Sequence, residues 1–405
     1  MHILTVSTFK IPKMHVLSLL SMATLALAAP NMTRKRAEPA PLFKALDNNP
    51  SAKVIPGSYL VRLSETAEAP SIAQTHNAVH TYSSKGFKGF AADLDDDALE
   101  AVRNRPDVEY VEQDQVFNLY DYISQEDAPW GLTRISNQAL GSTDYVYDSS
   151  AGEGTCVYII DTGIKVDHEE FEGRAEWLQN FTEDGKDEDS LGHGTWVSGL
   201  VASRSYGVAK KSKVFALKVF AEDGSATGAG IIAAMDFVVS DSAKRDDCPK
   251  GYVANMSLGG GFSQTSNDAT DAMVNAGIFV AVAAGNDNVD AAGTSPASAP
   301  LACTVAASDS NDAKASFSSY GGVIDVWAPG VGLESTSYQG GSTSASGTSG
   351  SSPIVAGLGA YLMAFEGLSG GERVCDRIKE LSVQGVLSGV PEGTVNQLAF
   401  NGASS

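Results

Sequence analysis

Cys156-Val157-Tyr158-Ile159-Ile160-Asp161-Thr162-Gly163 is the stretch that decides the architecture of this chain. Five apolar residues in a row, without polar alternation, fit a strand covered on both faces, the condition of a strand inside a parallel sheet. Two further runs have the same character, Val214-Phe215-Ala216-Leu217-Lys218-Val219 and Ile278-Phe279-Val280-Ala281-Val282-Ala283, and helix-compatible stretches at 230–240 and 270–276 lie between them. That alternation predicts an α/β domain with a mostly parallel sheet. Ligands of such folds gather at the carboxyl ends of the strands. Asp161 stands at one such end, beside a Gly turn, where a carboxylate is placed to orient a base.

The rest of the chain sets the setting. With 405 residues, 43% of them hydrophobic, it holds enough material for a large core and more than one folded unit. Lys10 and Lys13 precede an apolar run at 16–28 that ends Ala26-Leu27-Ala28. This has the form of an export signal over residues 1–28 and predicts a secreted protein. Export puts Cys156, Cys248, Cys303 and Cys375 in an oxidising setting, where two disulfides with three possible connectivities are expected. From Asp121 onward 36 acidic residues face 16 basic ones, and the whole chain carries a net charge of −21. Such acidity argues against nucleic acid or anionic membranes as partners.

Residues 29–57 read as a linker, rich in Pro, Ala, Asn and charge. Residues 58–120 have a compact rhythm: a strand at 59–63, a helix-compatible stretch at 67–79, a strand at 87–94, a helix at 95–105 and a strand at 108–112. A small α+β unit with an antiparallel sheet is expected there, ahead of a main domain at 121–405.

Gly347-Thr348-Ser349-Gly350-Ser351-Ser352-Pro353 places a hydroxyl among small residues just before an apolar run. At a helix N-terminus, backbone N–H groups and the dipole would favour an oxyanion formed by attack of Ser349. Beyond Asp121 only His168 and His193 remain as imidazoles. His168 lacks the second histidine of a zinc motif and reads as a surface residue. His193, in Gly192-His193-Gly194-Thr195, is the candidate base. Asn286, closing the strand that ends at Ala283, carries an amide able to donate to an oxyanion. Asp-Thr-Gly occurs once, which removes the two-aspartate protease reading. Acid, then base, then serine along an α/β scaffold is neither the α/β-hydrolase nor the chymotrypsin order; it is the subtilisin order.

On these residues, with Ala128-Pro129-Trp130-Gly131-Leu132, Asn255-Met256-Ser257-Leu258-Gly259-Gly260 and Gly285-Asn286, the chain from about 128 to 400 resembles the subtilisin-like serine proteases, most closely the secreted fungal proteinase K group. Residues 58–119 resemble that family's inhibitory propeptide, a small ferredoxin-like domain. The resemblance implies Asp161, His193 and Ser349 as catalytic residues and Asn286 with the Ser349 N–H as oxyanion hole. It implies peptide substrates lying between Gly224-Ser225-Ala226 and Ser257-Leu258-Gly259-Gly260, with large apolar residues before the scissile bond. It also implies a structural calcium on the carbonyls of Pro300 and Ala302 and the carboxylate of Asp325, and disulfides Cys156–Cys248 and Cys303–Cys375. The propeptide would act as chaperone and inhibitor of a monomeric enzyme, with autocleavage after Tyr120 or Tyr122. Asn180-Phe181-Thr182 is the expected glycosylation site; the sequon at Asn255 falls on the substrate strand and is expected to stay unmodified.

Departures from the family pattern are informative. Trp196 stands where a second histidine is usual, read as a change of packing rather than chemistry. Gly350 stands where a methionine usually follows the nucleophile, which removes an oxidisable side chain and predicts a looser start to the helix. Gly228 lies where an aromatic lid over the fourth subsite is common, and Val386 replaces an acidic ligand of a second calcium site. A subtilisin fold retained for binding, with activity lost, is the competing reading; the intact Asp161, His193, Asn286 and Ser349 weigh against it.

Overall fold

The computed structural model describes residues 36, 38–44, 54–116 and 122–403, so the expected export signal and the Tyr120 cleavage position lie outside the described residues. Among those described, one unit takes the residues up to Leu42 together with 57–112, and the other takes 43, 44, 54–56 and everything from 113.

The smaller unit is built on β1 (Leu42–Phe43), β2 (Val54–Leu63), α1 (Ala69–Thr75), β3 (His80–Ser84), β4 (Phe87–Asp93), α2 (Asp96–Arg103) and β5 (Val108–Gln115), with sheet order β1-β5-β2-β4-β3. β4 pairs antiparallel with both β2 and β3. From β2 to β5 the order is β-α-β-β-α-β, the ferredoxin-like arrangement. β3 was not legible in the sequence, because His80–Ser84 has no buried face and is placed by its hairpin with β4. The ordered unit also reaches into the stretch that reads as a linker: Leu42–Phe43 joins the sheet, and buried Ala40 donates its N–H to the Arg103 carbonyl at 2.8 Å. α2 starts where the sequence says it should. The Asp95 carboxylate caps it by accepting from the Ala98 N–H (2.8 Å), and Asp96 and Asp97 face the positive end of the helix.

In the larger unit, β6 (Tyr122–Gln125) pairs antiparallel with β7 (Tyr145–Asp148), with α3 (Trp130–Ile135) between them in the chain. A nine-stranded sheet follows. Its strands are β8 (Thr155–Asp161), β9 (Ala175–Asn180), β10 (Lys213–Lys218), β11 (Gly251–Met256), β13 (Phe279–Ala283), β15 (Cys303–Ser308), β16 (Val326–Pro329), β19 (Val383–Gln384) and β20 (Gln397–Leu398). Their order is β19-β20-β16-β15-β13-β11-β8-β10-β9, parallel throughout except for β19 at the rim. β12 (Gly260–Gly261) pairs separately with β14 (Thr294–Ser295), and β17 (Leu333–Thr336) with β18 (Ser342–Ala345). Every residue of β8 is buried, as the unbroken apolar run requires.

Helices α4 (His193–Ala202), α5 (Gly228–Ser242), α6 (Gln264–Asn275), α7 (Thr348–Glu366) and α8 (Gly371–Leu381) complete the unit. α7 is apolar on nearly all sides and packs on β8, β11, β13 and β15, which is what an all-round hydrophobic helix demands. Disulfides join Cys156 to Cys248 and Cys303 to Cys375, each with Cα atoms 5.7 Å apart, as the resemblance implies. They close 92 and 72 residues, for which the loop-entropy model gives about 4–5 kcal/mol apiece.

Candidate active site

Asp161 is the last residue of β8 and is fully buried. One carboxylate oxygen accepts from the Thr162 N–H (2.7 Å) and from His193 Nδ1 (2.7 Å). The carboxylate can only accept, so Nδ1 carries the proton and the Nε2 lone pair is left toward the cleft. Burial works against the imidazolium, but the charge and hydrogen bond of Asp161, with Asp189 adding to them, outweigh it and hold His193 above its ordinary value. The imidazole side chain is 38% exposed, so it meets both the buried acid and the solvent side.

His193 opens α4, and Asp189 fixes that opening. Its buried carboxylate accepts from the Gly192 N–H (2.7 Å), the Thr195 N–H (2.8 Å), the Thr195 hydroxyl (2.6 Å) and the Thr162 hydroxyl (2.7 Å). Thr162 in turn accepts from the Gly194 N–H (2.8 Å), which ties the end of β8 to the first turn of α4. Lys218, level with Asp161 in the ladder and fully buried, donates to the carbonyls of Thr162 (3.3 Å) and Glu188 (3.1 Å). Sequence reasoning missed Asp189. The signal was present: an acidic residue four positions before a histidine, where free helix N–H groups call for an acceptor.

Ser349 is the second residue of α7, after Gly347 at φ +156°, a value glycine alone adopts freely. Its hydroxyl donates to the Ser257 carbonyl (3.3 Å), and the Ser257 hydroxyl donates to the Ser349 carbonyl (2.9 Å). The second bond has a cause in the sequence. Residue 353 is proline, without the N–H that would otherwise bond the carbonyl four residues earlier, so Ser349 C=O needs another donor. Ser257 is held for that task by Asn255 Nδ2 (2.9 Å), and Asn255 Oδ1 accepts from the Ser352 hydroxyl (2.7 Å). Asn255 is buried and bonded at both ends of its amide.

The Asn286 amide is oriented by Thr348, whose N–H (2.8 Å) and hydroxyl (2.9 Å) both reach Oδ1. The NH2 end is left to face outward. A Cβ placed on Gly347 would stand 3.4 Å from Asn286 Nδ2 and 3.6 Å from the Ser349 nitrogen, so these two donors border one small space that a side chain at 347 would fill. Two pairs thus form: Asp161 with His193 at the end of β8, and Asn286 beside the start of α7 that carries Ser349.

The two segments expected to hold substrate flank this edge. A cavity of about 250 Å³ is lined by Phe220, Ala226, Ile231, Leu258, Gly260 and Pro296 among others. Gly224 and Ser225 are exposed in the turn before Ala226. Among the described residues, its chain neighbours aside, no atom lies within 4 Å of where a Cβ on Gly228, a residue lining this cavity, would be.

Three further expectations meet different outcomes. His168 is not a surface residue: it is 3% exposed, its Nδ1 accepts from the Glu170 N–H (3.2 Å), and its Nε2–H therefore donates to the Gly341 carbonyl (3.0 Å). It caps the short turn Glu169–Phe171, a local role that one sequence position does not reveal. Asn180 has both amide hydrogens engaged, by Asp184 (3.0 Å) and the Lys186 carbonyl (3.1 Å). At Asp325 the donor set of one carboxylate and two carbonyls is all oxygen and suits a hard cation. However, one Asp325 oxygen accepts from the Thr304 N–H (2.9 Å) and the other faces Lys379 Nζ at 3.5 Å. Burial pushes this carboxyl above its usual range in spite of the lysine.

Comparison with known proteins places the chain. Residues 152–386 match the Subtilase family, and residues 53–120 match the Peptidase inhibitor I9 family. The chain is 48% identical over 398 residues to a cuticle-degrading protease of Metarhizium anisopliae, covering 96% of this chain and 100% of that protein. It is 45% identical to Proteinase R of Parengyodontium album over 95% of this chain and 98% of that one. Among solved structures, a cold-adapted subtilisin-like serine proteinase superimposes with a TM-score of 0.64 at 36% identity, covering 69% of this chain and all of the other.

Proposed function

The chain belongs to the subtilase family of serine proteases, and from that premise we propose that Ser349, His193 and Asp161 are its catalytic triad and that it is a secreted endopeptidase made as an autoprocessed zymogen. The observation that supports the reading is the 2.7 Å bond from His193 to buried Asp161, taken with Ser349 opening α7 beside the Asn286 amide. Ser349 Oγ turns from the Ser257 carbonyl to His193 Nε2, gives up its proton there and attacks the peptide carbonyl. Asn286 Nδ2 and the Ser349 N–H receive the oxyanion. The imidazolium then protonates the leaving amine, and water, activated by the same imidazole, hydrolyses the acyl-enzyme.

Substrate lies extended between 224–226 and 257–260, bound through its backbone, which favours unfolded or flexible polypeptide. Large apolar residues precede the scissile bond, and the open space around Gly228 favours a weakly selective fourth subsite. Residues 1–28 direct export, 58–120 fold as the inhibitory propeptide, and 121–405 form the mature enzyme. Pairing of Tyr122 into β6 favours release after Tyr120, since that strand is then kept whole. Calcium, when bound, would lie on Asp325 and the carbonyls of Pro300 and Ala302 and brace the fold. The test is labelling of the protein by a fluorophosphonate, with Ser349→Ala as control. Labelling lost in the alanine variant, together with an unprocessed chain, is expected; equal processing of both would remove the proposal.

A further inference from the structure

Trp196 and Gly350 look like separate departures in the sequence, but they occupy one volume. Trp196 lies one turn after His193 on α4, with ring centroids 6.2 Å apart, and is 3% exposed. Its indole N–H donates to the Leu333 carbonyl (3.1 Å), and its own carbonyl accepts from the Ser335 hydroxyl (2.7 Å). The ring is thus pinned to β17 at one point and its backbone at another. A Cβ at Gly350 would stand 2.8 Å from the edge of that ring and 2.8 Å from Leu333 Cδ1. Both distances are too short for any side chain unless a pinned neighbour moves. The space a side chain would fill is taken by the indole.

From this contact, and resting on the roles given to Ser349 and His193 above, we propose that Trp196 is a positioning residue for the nucleophile and that Gly350 is the glycine its ring requires. The indole belongs to the helix that carries His193 and abuts the residue next to Ser349. It therefore helps set the spacing between base and nucleophile from one side, while the Ser257 pair holds Ser349 from the other. A misplacement of an ångström at this spacing lowers turnover with little effect on substrate binding.

The test is a cycle of Gly350→Met, Trp196→Ala and the double variant Trp196→Ala/Gly350→Met, in which the thioether refills the vacated space, with Gly350→Ala as a further single variant. Each processed enzyme is assayed for kcat and KM on a soluble peptide and for the rate of fluorophosphonate labelling. Each single change is expected to lower kcat and labelling about tenfold or more, with KM within about twofold. The double variant is expected to exceed the product of the single losses by about tenfold. Losses that multiply, or a Gly350→Ala enzyme with unchanged kcat, overturn the inference. If Trp196→Ala does not mature, Trp196→Phe replaces it, and Gly350→Ala should then cost less than in the parent; an equal cost overturns the inference as well. Absence of labelling in the parent enzyme is a different failure, that of the nucleophile assignment.

Discussion

Replacing Ser257 by alanine should damage the enzyme through a carbonyl that belongs to another residue. The hydroxyl makes two bonds of 2.9 Å, one received from Asn255 Nδ2 and one given to the Ser349 carbonyl. Without it the part-buried Ser349 carbonyl and the buried Asn255 Nδ2 both lose their partner, at up to about 1–3 kcal/mol each. We take about 2–4 kcal/mol for the pair, which for a domain of this size lowers the apparent midpoint by about 4–8 °C. The measurement is thermal unfolding at one fixed scan rate on full-length Ser349→Ala protein, which cannot digest itself. The decisive arm adds Pro353→Ala. That change restores an N–H able to bond the Ser349 carbonyl, so the cost of Ser257→Ala should fall by about half in its presence. If the two changes add within about 0.5 kcal/mol, the link from Pro353 to Ser257 is wrong.

Three other outcomes follow from the geometry. Because Asp161 holds His193 above its ordinary value, the acidic limb of kcat/KM should have its midpoint above the model-peptide 6.5, and Asp161→Asn should move that midpoint down; a limb that does not move excludes the assignment. Lys210, buried against the Tyr145 and Tyr147 rings, is pushed down to about 7 by burial, whereas the unfolded chain keeps that proton to about 10.5. Over this window the unfolded state binds more protons, so stability should rise with pH by up to about 1.4 kcal/mol per unit, and Lys210→Met should flatten the rise in unfolding curves at pH 7 to 10. Lys379 beside Asp325 should compete with calcium: Lys379→Met is expected to enlarge the calcium-induced gain in melting temperature of the Ser349→Ala protein, and an identical calcium response in both chains contradicts the competition.

Much of this was legible in the chain. The apolar run before Asp161 pointed to a parallel strand buried on both faces, because its five consecutive residues are β-branched or aromatic in the main, too few for a helix, and end at a Gly turn. The order of Asp161, His193, Asn286 and Ser349 pointed to the proposed chemistry, since roles follow from residue type and sequence order carries the scaffold's topology. What the sequence left open was whatever depends on distances between residues far apart in it. Asp189, Ser257 and Ser352 are ordinary polar residues until a helix start or a proline-vacated carbonyl is brought beside them. His168 looks exposed until the Gly341 carbonyl is found at its ring, and Asp325 looks available until Lys379 arrives from α8. Gly350 reads as looseness in one dimension, yet close packing in three makes it the room for Trp196. Local pattern fixes which groups face a core or a cleft; only the folded chain decides which of them meet.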